Sequence, residues 1–151
     1  MNLISIKNEQ DIPNKYAKTP IGDLLRYHNL NLNFKTYTSA EILIGMCMDN
    51  RKTLKIPDNF AYILRTGGAN LRYSEFKLAY AIAIGKVRHA ALIGHNECGM
   101  KNLLSKKEAF VKGIIKIAKW TQQRAEDYLM HYAGMFEIDN EQFFVLEEAN
   151  D

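Results

Sequence analysis

The sequence has only two cysteines, too few for the disulfide framework that stabilises small secreted domains. It has no apolar run long enough to span a bilayer, and residues 1–13, with Lys7, Glu9 and Asp11, contain no apolar signal segment. A reduced, cytoplasmic chain without a membrane partner is expected. There is no arginine-rich run and no interleaving of basic with aromatic residues. A net charge of +3 and a pI near 8.8 are too mild to suggest a nucleic-acid partner. The dinucleotide fingerprint Gly-x-Gly-x-x-Gly is also missing, which counts against a nicotinamide enzyme. Apolar residues, by contrast, make up 47% of the 151, enough for the core of a single domain.

The most informative stretch is Ala90-Ala-Leu-Ile-Gly-His95-Asn-Glu-Cys98-Gly99. Its apolar start suits a buried strand, and its end carries a histidine and a cysteine in His-x-x-Cys spacing. Neutral imidazole and thiolate both bind zinc, and such a turn can bring them onto one ion. The other cysteine occupies a matching place in Glu41-Ile-Leu-Ile-Gly-Met-Cys47-Met-Asp49-Asn-Arg51, a second apolar run that turns polar. In extended backbone Cys47, Asp49 and Arg51 point to one side, because strand periodicity is two. If the two strands are neighbours, Cys47, His95 and Cys98 meet the Asp49–Arg51 pair at the carboxyl ends of the sheet, where open α/β folds keep their sites.

The remaining elements supply that neighbourhood. Thr19-Pro20 reads as a helix start, with Ile21, Leu24, Leu25 and His28 on one face. Strands are expected at 42–46, 60–64 and 90–94. Ser74 caps a helix reaching Lys86, with Phe76, Ala79, Tyr80 and Ala83 at helical spacing. A right-handed crossover from the second strand to the third gives a mostly parallel sheet of order 2-1-3 flanked by helices, a three-layer, Rossmann-like α/β fold. Ser105-Lys-Lys-Glu108 reads as a capping box before a helix bearing Val111, Ile114, Ile115 and Ala118, and Thr121 as the cap of another with Ala125, Tyr128, Leu129 and Tyr132 inside. Asp139-Asn-Glu-Gln142 is a further capping pattern, opening a helix over 143–148 just before the chain stops at Asp151.

Cys-x-Asp-x-Arg (47–51) followed by His-x-x-Cys-Gly (95–99), with Arg65-Thr-Gly67-Gly68 between them, resembles the β-class carbonic anhydrases over residues 41–99. The resemblance implies one domain, with an N-terminal helical arm over 1–40, a zinc-site core over 41–99 and C-terminal helices over 100–151. It implies a zinc lyase that reversibly hydrates carbon dioxide to bicarbonate by zinc-bound hydroxide, working as a homodimer or dimer-based oligomer. Exposed-looking Tyr73, Phe143 and Phe144 fit such an assembly. Cys47, His95 and Cys98 would hold zinc with an open fourth position, as catalytic sites do. Asp49 would accept a hydrogen bond from the nucleophile, with Arg51 holding the carboxylate by a bidentate ion pair. Gly67 and Gly68 would line the substrate loop. A structural site would need a fourth ligand from His28, His89 or His131, of which His89 stands at the wrong end of its strand. Two alternatives accompany this reading: hydrolysis of a related small electrophile such as carbonyl sulfide or carbon disulfide, and a non-catalytic zinc-binding protein. The second is favoured by the chain's end, since members of the family continue through such a helix into a further strand. That C-terminal strand is expected to be missing.

Overall fold

The computed structural model describes residues 4–137 and a strand at Phe144–Glu148. Strand β1 (Ile42–Cys47) is its axis, with all six residues buried. A parallel strand covered on both faces shows a continuous apolar run instead of alternation, and Ile-Leu-Ile-Gly-Met-Cys is such a run. Strand β2 (Ala61–Thr66) lies on one side of β1, pairing Cys47 with Thr66. Strand β3 (His89–Ile93) lies on the other, pairing Met46 with Ile93. Both are parallel to β1, so the order 2-1-3 holds and the fold is α/β.

Strand alternation sorts the side chains of β1 into two packings. Ile42, Ile44 and Met46 face helix α1 (Pro20–Leu30) and form one cluster with its Ile21, Leu24 and Tyr27, together with Phe60 and Ala91. Proline at the first helical position pre-sets the backbone, and Asn31 in a left-handed conformation ends the helix. Since Ile21 and Tyr27 are fully buried, α1 belongs to the core and is not an arm. Leu43 faces the other way, against Ala81 of helix α2 (Glu75–Ala83) and Val87. Here the expected face is wrong: Phe76, Ala79, Tyr80 and Ala83 are exposed, and α2 turns Leu78 and Ala81 inward. Glu-Phe-Lys-Leu-Ala-Tyr-Ala-Ile-Ala is apolar almost all round, so periodicity allows two stripes and packing chooses one.

Helices α3 (Lys107–Ala118) and α4 (Gln122–Phe136) pack on each other beyond the sheet. Thr121 caps α4 as expected, its hydroxyl accepting from the Arg124 N–H at 3.3 Å. Ser105 does not cap α3: it sits in a 3-10 turn, Leu103–Lys106, and donates to the Asn102 carbonyl at 2.7 Å. The C-terminal helix is also corrected. Phe144–Glu148 is a strand, β4, antiparallel to β3, with Ile93 opposite Phe144 and His89 opposite Glu148. The sheet is therefore β2-β1-β3-β4; its C-terminal strand is present, and 100–151 is not wholly helical. Phe-Val-Leu favours extended backbone, and the open edge of β3 supplies a partner that a local capping pattern does not reveal. The capping pattern at 139–142 and Phe143 lie outside the described residues. No helix among the described residues is long and apolar enough to cross a membrane.

Candidate metal centre

Cys47 is the last residue of β1, and β3 ends two residues before His95, so parallel neighbouring strands deliver both to the same end of the sheet. The chain then turns, with Glu97 at φ 56°, and returns Cys98 to the same spot. One ligand atom each from Cys47, His95 and Cys98 lies within 4.8 Å of the others, a group that could hold a metal ion. The two sulfurs are 3.9 Å apart and unlinked. Two sulfurs held about 2.3 Å from one tetrahedral ion stand about 3.8 Å apart, whereas a disulfide needs about 2 Å. Their spacing suits an ion and not a bond.

His95 is arranged for the same task. Its Nδ1 lies 2.7 Å from the Asn96 carbonyl, which fixes the proton on Nδ1 and leaves the Nε2 lone pair free. Among the described residues, Nε2 is buried with no hydrogen-bond partner. A buried orphan acceptor costs free energy unless something fills it, and a cation beside two sulfurs does so. Burial raises the Cys47 thiol, but the Asp49 N–H, the His95 ring, the Gly68 N–H and Cys98 outweigh it and bring the thiol down to about 7. Cys98 is raised, by burial first and by Cys47 beside it, against the Met100 and Gly68 N–H groups. One thiolate therefore forms readily, and a cation is needed to hold two.

Asp49 and Arg51 come together, but not as extended backbone would place them. β1 stops at Cys47 and the chain turns, so the Arg51 N–H donates to Asp49 Oδ1 at 3.0 Å. The guanidinium grips both carboxylate oxygens, Nε at 3.0 and 2.9 Å and Nη2 at 2.5 Å. The side-chain bonds from Arg51, then its backbone N–H, hold the Asp49 carboxyl well below the usual carboxylate range, and the Arg51 guanidinium is raised in turn. Asp49 is not among the converging ligand atoms; its oxygens are committed to Arg51.

The glycines have structural work beside the sulfurs. A Cβ on Gly67 would meet the Met100 side chain at 2.7 Å, so its absence lets Met100 close over the Cys47–Cys98 pair. Gly68 has φ 61°, left-handed backbone that glycine adopts freely, and its N–H favours the thiolate form of both cysteines. Met100 was not expected at the site, its proximity to Cys98 being the available signal; Arg65 was named only as part of the Arg-x-Gly-Gly loop, with no role of its own. His28, His89 and His131 stay outside the converging group. His28 accepts from the Lys55 N–H at 3.3 Å, and burial, with Lys55 nearby, lowers its pKa. His89 begins β3, at the opposite end from His95. Comparison of the sequence with protein-family models and with curated proteins finds no match to either, so the chemistry of the site rests on its own geometry.

Proposed function

We propose that this chain is a zinc-dependent carbonic anhydrase, a cytoplasmic lyase interconverting carbon dioxide and bicarbonate. The observation that carries the reading is the convergence of Cys47, His95 and Cys98 next to a carboxylate that Arg51 keeps off the ligand set. Two thiolates and one imidazole suit zinc, and three protein ligands leave a fourth position for chemistry. Zinc, when bound, supplies a Lewis acid that lowers the pKa of water toward about 7. Cys47 and Cys98 balance its charge, and the Asn96 carbonyl fixes the His95 tautomer. Asp49, ionised and aimed by Arg51, accepts a hydrogen bond from the attacking water and orients its lone pair toward a small electrophile. Gly67 and Gly68 shape the wall beside the sulfurs, and the substrate approaches that wall.

Carbon dioxide is the substrate that the resemblance of the two ligand motifs implies; carbonyl sulfide and carbon disulfide present the same linear electrophilic carbon. β4 supplies the C-terminal strand whose expected absence favoured a non-catalytic protein, which supports the catalytic reading. The working unit in this reading is a homodimer or a multiple of it, for which Ile63, Phe76 and Tyr80, exposed on the edge strand β2 and on α2, offer apolar surface. A reducing compartment keeps both thiols free.

The test is stopped-flow hydration of carbon dioxide by zinc-loaded and zinc-stripped protein across pH. Activity that follows zinc content and rises with pH is expected. Fully loaded protein inert toward carbon dioxide, carbonyl sulfide and carbon disulfide alike would overturn the reading.

A further inference from the structure

We propose that Arg65 is a positioning residue for the metal centre. Its guanidinium ties together the backbone of the turn that presents Cys47 and Asp49. Nη1 donates to the Cys47 carbonyl at 3.2 Å and to the Asp49 carbonyl at 3.4 Å, and Nη2 donates to the Lys52 carbonyl at 2.8 Å. Cys47 is the last residue of β1, and Asp49 and Lys52 lie in the loop that leaves it. Among the described residues, the other backbone ties recorded for this loop are Met48 N–H to the Thr66 carbonyl at 2.8 Å and Lys52 N–H to the Asp49 carbonyl at 3.1 Å. No helix or strand ladder fixes residues 48–52. Without a brace, such a loop is free to swing the Asp49 carboxylate and to twist the Cys47 sulfur.

Register explains how Arg65 reaches. It lies opposite Met46, one place before the Thr66–Cys47 pair, so its side chain leaves the sheet on the face away from Cys47. From there it grips carbonyls and leaves the ligand atoms untouched. A planar fork of donors suits divergent acceptors, which a single ammonium serves less well. The second ligand turn carries a parallel device: Lys106 Nζ donates to the Gly99 carbonyl at 2.5 Å and to the Lys101 carbonyl at 2.9 Å, just past Cys98. Both ligand-bearing turns are thus held at their carbonyls by a cation from a later element. Arg65 is solvent-exposed, so water can replace each hydrogen bond singly; it cannot link three carbonyls rigidly.

The inference rests on the metal reading above, and its test reads metal geometry in place of turnover. Cobalt(II) would be titrated into wild type, Arg65→Met and Arg65→Lys against a competing chelator, with the visible spectrum of each loaded protein recorded. Circular dichroism and thermal melts would establish that the variants fold. Arg65→Met is expected to bind cobalt about tenfold more weakly, the lower end of what losing an outer partner costs, with a shifted ligand-field spectrum. Arg65→Lys, which keeps the charge but not the fork, is expected to fall between, and it carries the test alone if the methionine variant does not fold. A folded variant of either kind with wild-type affinity and spectrum would overturn the positioning role alone. Wild-type protein that binds no cobalt would overturn it together with the metal reading.

Discussion

The two faces of β1 have been given different tasks by the same six residues. On the even side, Ile42, Ile44 and Met46 are sealed under α1 with Tyr27 and Phe60, all at 0–1% exposure. On the odd side, Leu43 meets only Ala81 and Val87 as buried partners, Gly45 leaves room for Leu92 and Leu71, and Cys47 ends the strand among the ligands. The covering helix on that side leaves Phe76 82% exposed. A period of two therefore separates stability from chemistry: one face is packed to hold the strand, and the other is kept small and polar-ended so that its last residue can bind. Mutations one position apart should consequently report different properties.

Four substitutions sharpen that contrast, the largest effect first. Cys47→Ala should weaken zinc by roughly a thousandfold, on the order of one ligand's share of the binding free energy, as read by chelator competition; the even-face core should survive, keeping the far-ultraviolet spectrum native. Ile44→Ala should do the reverse, lowering unfolding free energy by about 3 kcal/mol in denaturant melts through an unfilled cavity, while the folded fraction keeps one zinc per chain. Asp49→Asn should leave zinc content unchanged and cut hydration about a hundredfold, because the ionised acceptor is lost. Equal activity at equal zinc would remove Asp49 from the mechanism. Gly68→Ala should cost about 1–2 kcal/mol for a side chain forced to φ 61° and, by shifting the N–H that favours both thiolates, should raise the pH at which the metal-free thiols ionise.

Metal-free protein gives the gentlest test of the odd face. Cys47 is brought to about 7 from an ordinary thiol value, so the folded state releases its proton first. Stability should accordingly rise as pH goes from about 7 toward 9 and be lost as pH falls through 7. Cys98 is raised and works in the opposite sense at higher pH. Thermal melts across this range, with thiolate absorbance as the titration readout, should show one early and one late ionisation. Two coincident ionisations would contradict the asymmetry.

Much of the site was readable because its residues sit where the backbone pattern changes. An apolar run that stops at Cys47, and another that stops just before His95, identify strand ends, and parallel order follows from the crossover between them. What failed was information held by distant partners. A helix apolar on every side gave no reason to bury Leu78 and Ala81 in preference to Phe76 and Tyr80. The strand at Phe144–Glu148 depends on the open edge of β3, more than fifty residues away in the chain, and a local capping pattern pointed to a helix instead. Asp49 and Arg51 were expected on one side of an extended segment; they meet through a turn whose geometry depends on Arg65 gripping carbonyls, and carbonyls leave no mark in a sequence.

X-ray absorption at the zinc edge of the loaded protein tests the central claim most directly. Two sulfurs at about 2.3 Å, one imidazole nitrogen near 2.0 Å and one further light atom exchangeable with solvent are predicted. A closed shell in which carboxylate or a second imidazole fills the fourth place, or one sulfur alone, would contradict the account.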